Sequence, residues 1–151
     1  MADLLHPDEL ISRLRLDKHR CFVITGRPLE GKTRLAQAMA TRYGGQRLDL
    51  LAAFAADGDL SARVDTFTPQ QFKELLKPYA SGNLVLVDEM EFLWHRWDDG
   101  EKRAFLTIVE RWMKPAFLGF FLPVDPALDA LTMPDQDGYP RVLSLHQLQA
   151  L

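Results

Sequence analysis

Gly26-Arg27-Pro28-Leu29-Glu30-Gly31-Lys32-Thr33 has the spacing G-x-x-x-x-G-K-[ST]. Residues of these types at this spacing can hold a triphosphate. The glycines let successive backbone N–H groups curl around anionic oxygens, because only Gly tolerates those dihedrals and that close an approach. Lys32 is placed to reach β- and γ-phosphates as a catalytic cation, and the Thr33 hydroxyl to ligate Mg²⁺. A helix beginning at this point would add its partial positive charge. Gly26 through Thr33, with the adjoining Arg34, form the candidate nucleotide-binding set. Gly makes up about 7% of residues generally, so a chance match in a chain this size is on the order of 1%.

A second chemical run, Leu84-Val85-Leu86-Val87-Asp88-Glu89, is an apolar strand ending in two acids. Alone it would be an ordinary buried strand with a polar end. After a phosphate loop it takes on a second meaning: Asp88 as the acid beside Mg²⁺, Glu89 as the acid that positions and activates an attacking water.

Several elements must position these groups. Cys21-Phe22-Val23-Ile24-Thr25 has the length and β-branched content of a buried strand before the loop. Thr33 to Tyr43 is helical in propensity, with Gly44-Gly45 as its stop. An amphipathic helix is expected over residues 7–16, with Pro7 at its first position and acids in its first turn. Gln46 to Leu51 reads as a second strand, and Ala52 to Asp65 as a short helix followed by a loop at Asp57-Gly58-Asp59. Thr68-Pro69-Gln70-Gln71 is a capping box opening a helix through Phe72, Leu75 and Leu76. Asn83 to Val87 is an unbroken apolar strand, the pattern of a strand covered on both faces. A helix is expected from Gly100 to Met113, with Phe105, Ile108, Val109 and Trp112 on one stripe. Strands over 117–122 and 141–145 close the pattern, separated by a short helix opened by Asp125-Pro126. Alternating strands and helices imply an α/β fold, a parallel five-stranded sheet between two helical layers. One strand-helix unit lies between loop and acids, which points to the AAA+/ASCE division of P-loop NTPases. In that division another strand separates the loop strand from the acidic one.

The chain has 151 residues, a net charge of −3, 47% hydrophobic and 26% charged residues, the profile of one globular domain. That charge argues against a surface built for nucleic-acid backbones. The start, Met1 to Pro7, has no basic flank or apolar stretch of a signal peptide, and Ala116 to Leu122 is too short to cross a bilayer. A single cysteine, Cys21, excludes an internal disulfide and suits a reducing cytoplasm, the expected location. It reads as a small buried side chain. His6, His19, His95 and His146 lack ligand spacing. Trp94-His95-Arg96-Trp97 directly follows the acids and is a candidate to lie near nucleotide or partner. Arg96, Arg103, Arg111 and Arg141 are candidate arginine fingers that sequence alone does not separate.

AAA+ proteins commonly end the strand after the acidic one in a polar residue that touches the γ-phosphate. Here that strand ends Phe121-Leu122-Pro123, and the first acid beyond is Asp125. The sequence ends at Leu151, soon after the last strand, so no helical lid is expected within it. The expectation is ATP and Mg²⁺ binding with weak or partner-dependent hydrolysis. Two alternatives stand beside it. A small-molecule kinase would carry an arginine-rich flexible lid and an acceptor pocket, neither of which is apparent. A non-catalytic adaptor would bind nucleotide only to stabilise its fold.

Beyond these motifs the chain resembles BrxF, the family of compact P-loop proteins in type III BREX phage-defence loci. The resemblance covers most of residues 20–145. It rests on Leu48-Asp49-Leu50, Phe67-Thr68-Pro69, Val87 through Leu93, Ala130-Leu131-Thr132-Met133-Pro134 and Gly138-Tyr139. It implies an antiviral role beside a larger BREX ATPase, a methyltransferase and a phosphatase-like protein, with Lys32, Thr33 and Asp88 carrying the nucleotide site. Self-association is the alternative to such partners.

Overall fold

Apolar side chains on both faces of the central strands build the molecule. The computed structural model describes residues 3–151. Met1 and Ala2, which open the segment read as free of a signal peptide, lie outside the described residues.

Helix α1 (Pro7–Arg15) starts with Pro7 and with Asp8 and Glu9 in its first turn, and buries Leu10, Ile11 and Leu14. Its cap is His6, whose Nδ1 accepts the Asp8 N–H at 3.0 Å. Strand β1 (Phe22–Thr25) leads into the Gly26–Thr33 loop and α2 (Lys32–Tyr43), which Gly44 ends at φ +67°. Strand β2 (Gln46–Asp49) is shorter than expected, because Leu50 and Leu51 are helical. The Asp49 carboxylate accepts the Ala52 N–H and starts α3 (Leu50–Ala56). The loop expected at Asp57-Gly58-Asp59 is instead a helix start. Asp57 accepts from the N–H groups of Asp59 and Leu60 and opens α4 (Gly58–Ala62). In both places an acid read as strand or loop is a cap, the role for which Asp competes well.

Helix α5 (Pro69–Leu76) forms behind the expected Thr68–Gln71 capping box. Strand β3 (Val85–Asp88) precedes the short α6 (Glu91–Trp94) and α7 (Asp99–Arg111). Asp98 and Glu101 make a second capping box, which starts α7 one residue before Gly100, and Trp112 leaves helical backbone with ψ 117°. Strand β4 (Leu118–Leu122), α8 (Pro126–Asp129) behind Asp125, and β5 (Val142–Ser144) complete the chain.

All strand pairs are parallel and the order is β2-β3-β4-β1-β5. The fold is therefore α/β with a five-stranded parallel sheet, and β4 does separate β1 from β3. Val23, Val85, Val87, Leu118 and Phe120 face one core, shared with Phe54, Phe72, Trp94 and Phe105. Phe22, Ile24, Leu86, Phe121 and Leu143 face the other, covered by Leu10, Ile11 and Leu14 of α1 and Leu35 and Met39 of α2. Burying a side chain of this kind contributes about 1.5–3 kcal/mol, so packing on the two faces holds the layers. At Gly119 a Cβ would lie 2.4 Å from the Phe22 ring, so the ring needs a residue without a side chain there. Among the described residues no helix is long and apolar enough to cross a membrane.

Candidate functional site

Because the strands run parallel, β1, β3 and β4 end at the same edge of the sheet, and their following loops converge there. Gly31, at φ +106°, turns the chain into α2 with no side-chain cap and no acid in the first turn. Helices α1, α3, α4, α5, α7 and α8 all begin behind a side-chain cap. The first N–H groups of α2 are thus left for an anion from outside, the arrangement that binds phosphate at helix starts. Leu29 is also left-handed, at φ +65°, with its side chain fully in solvent.

A cleft of about 660 Å³ opens over this edge. Pro28, Leu29, Glu30, Gly31, Lys32, Thr33 and Arg34 line one side; Asp88, Glu89, Glu91, His95 and Pro123 line the other. Gly26 and Arg27 are not among the residues lining the cleft. The Lys32 ammonium, 8% exposed, donates to Gly26 O at 2.6 Å and lies 3.2 Å from Glu91 Oε1. The Arg27 N–H donates to Glu30 Oε1 at 2.5 Å. That bond and the nearby His146 hold the Glu30 carboxyl below its ordinary range. Beside the cleft a smaller groove of about 220 Å³ shares Glu30, Gly31 and Arg34 and adds the apolar Leu35, Ala38, Leu145 and Leu148.

The two acids of β3 have different neighbours. Thr33 Oγ1 donates to Glu89 Oε1 at 3.2 Å, so the hydroxyl meets Glu89 and not Asp88. Asp88 is 1% exposed, and its Oδ2 accepts from Arg47 Nε at 3.0 Å and lies 2.9 Å from Arg47 Nη2. The same Nη2 is 3.9 Å from Glu89 Oε1. Glu89 has left-handed backbone, φ +59°. An outlier of this kind persists only where its surroundings impose it, and such outliers cluster at functional sites. Among the described residues no group of three or more His, Cys, Asp or Glu could hold a metal by itself. Thr33 beside carboxylates fits Mg²⁺ all the same, since that ion takes one or two protein oxygens and fills its shell with phosphate and water.

The remaining candidates separate clearly. Trp94 and Trp97 are buried, and their indole N–H groups donate to Asp125 Oδ2 and Phe67 O at 2.9 and 2.8 Å. His95 lines the cleft, and Arg96 pairs with Asp65. Asp125 turns away from the cleft: it caps α8 and holds Trp94 and Lys102. Arg141 is 2% exposed and donates to the carbonyls of Cys21 and Glu110, so it is a structural residue and not a finger. Arg103 and Arg111 are exposed on α7. Burial pushes the Cys21 thiol up to about 12, as fits a small buried side chain.

Sequence reading missed Arg47 and Glu91. Arg47 sits in register with Leu86 and reaches diagonally to Asp88. Seeing that requires knowing that β2 borders β3. Glu91 lies two residues past Glu89, a signal present in the sequence but shared by many surface acids.

No protein-family model matches the chain. It is similar to the Replication factor C large subunit of Sulfolobus acidocaldarius, 29% identical over 112 residues, 74% of this chain and 25% of that protein. It is also similar to the Replication factor C large subunit of Pyrobaculum calidifontis, 30% identical over 131 residues, 83% of this chain and 30% of that protein. The chain therefore spans between 25% and 30% of the length of these curated relatives.

Proposed function

We propose that this chain is an ATP-binding P-loop protein of the AAA+/ASCE type. In this reading it serves a bacterial BREX defence system as a nucleotide-dependent regulatory or assembly subunit. The observation that carries the nucleotide reading is the convergence of an uncapped α2 N-terminus, Lys32, Thr33 and the Asp88–Glu89 pair on one cleft. Gly26 to Arg34 would hold the phosphates, Thr33 and Asp88 the Mg²⁺, and the adjoining apolar groove the base. Bound Mg²⁺ supplies charge neutralisation at the phosphates. Glu89, which lines the cleft beside Thr33, would orient a water in this reading.

The engagement of three arginines elsewhere supports weak or partner-dependent hydrolysis. Arg47 is committed to Asp88, Arg96 to Asp65 and Arg141 to backbone carbonyls. An arginine from another subunit would then complete the charge stabilisation, which in such enzymes is worth about 10³–10⁵ in rate. The BREX assignment rests on the sequence resemblance, and the subunit role is also in keeping with relatives named as large subunits. For ATP to act as a switch, it must favour one assembly over another. Sedimentation with the BREX proteins should differ between ATP and ADP, and Lys32→Ala in the host should restore phage plaquing. Identical profiles in both nucleotides, with plaquing unchanged, would contradict the assignment. The identity to Replication factor C subunits favours a second reading, a replication accessory protein. In that case Lys32→Ala would slow chromosome replication and leave plaquing unaltered.

A further inference from the structure

We propose that Glu91 is a built-in stand-in for phosphate: its carboxylate holds the Lys32 ammonium in the nucleotide-free protein and must be displaced for a phosphate chain to bind. The proposal rests on the nucleotide-site reading and concerns its regulation.

Three groups that a triphosphate and its metal would use are already engaged by acids of the chain. Lys32 meets Glu91 at 3.2 Å, the Arg27 N–H meets Glu30 at 2.5 Å, and the Thr33 hydroxyl meets Glu89 at 3.2 Å. The Lys32 contact is the decisive one. An ammonium has three donors and no acceptor, and this one is nearly buried, so it needs an anionic partner in the resting state. Glu91 supplies it from the first residue of α6, with its side chain 30% exposed and lining the cleft. A phosphate oxygen on Lys32 and the Glu91 carboxylate compete for the same donors with the same sign of charge. Binding therefore exchanges the Glu91 ion pair for a contact with phosphate, and affinity is lowered by the pair given up. Glu91 also leads α6, whose Phe92 ring packs 5.1 Å from Phe54 and whose Trp94 is bonded to Asp125. The acid that yields to phosphate is thus attached to the core beyond the cleft.

The test titrates Mg·ATP and, separately, inorganic tripolyphosphate into folded wild type, Lys32→Ala, Glu91→Gln and Glu91→Asp. Glutamine removes the charge at constant size; aspartate keeps the charge and withdraws it from Lys32. Both Glu91 variants are expected to bind both ligands about tenfold more tightly, a difference of about 1.4 kcal/mol. Equal affinities in wild type and both variants would overturn the proposal, and with a lowered melting temperature they would make Glu91 only the neutraliser of a buried lysine. Tightening in Glu91→Gln alone would overturn it too, leaving a general charge effect. In both of those cases, binding by wild type that Lys32→Ala abolishes leaves the nucleotide reading standing. Absence of binding in all four proteins would sink both.

Discussion

Leu29 is the clearest case of a residue at odds with its own backbone. An L side chain at φ +65° costs about 1–2 kcal/mol, and this one recovers nothing by packing because it is fully exposed. Glycine there would remove the strain while giving up about 0.5–1 kcal/mol of chain entropy. Leu29→Gly is therefore expected to raise the melting temperature by about 2 °C, as read by thermal unfolding. A fall would show that the loop depends on the leucine. Around Leu29 the loop residues were legible because their spacing is itself the chemistry. Arg47 and Glu91 were not legible, since their roles follow from what lies across the sheet and across the cleft. The Thr33–Glu89 hydrogen bond and the Arg47–Asp88 pair have the same origin: spacing set Thr33 and Asp88 beside Mg²⁺ and carried no sign of either contact.

Between elements, α1 is joined to α2 by more than its apolar stripe. Asp8 accepts from Arg42 Nε and Nη2 at 2.6 and 2.7 Å and from the Tyr43 hydroxyl at 2.6 Å. The Arg42 guanidinium, then the Tyr43 hydroxyl, hold the Asp8 carboxyl well below the usual carboxylate range, and burial followed by this contact raises the Tyr43 phenol. A carboxyl depressed in the fold contributes stability above its unfolded value of about 3.9 and loses it as the pH falls below that. Asp8→Asn should therefore lower the melting temperature at pH 7, with the gap to wild type closing only as the pH drops below the ordinary carboxylate range. A gap that persists unchanged at low pH would mean that the hydrogen bonds matter and the charge does not. Element existence was largely readable, because capping boxes such as Thr68–Gln71 and glycine stops such as Gly44 are local signals. The end of β2 was not: Asp49 and Asp57 read as strand and loop residues until their carboxylates are seen on the N–H groups of Ala52, Asp59 and Leu60.

At the scale of the whole molecule, the strand order decides the site. Placing β4 between β1 and β3 sets the acids one strand away from the loop and leaves room for the cleft. The order of the two motifs along the chain was enough to expect that, whereas the apolar groove beside the loop is assembled from α2 and the residues after β5 and has no sequence signature. The central claim is that the cleft is a working phosphate site. Calorimetric titration of Mg·ATP into the purified chain, with Lys32→Ala beside it, tests that claim most directly. Saturable binding by wild type that Lys32→Ala abolishes is the expected result; equal binding by both proteins, or none by folded wild type, would contradict it.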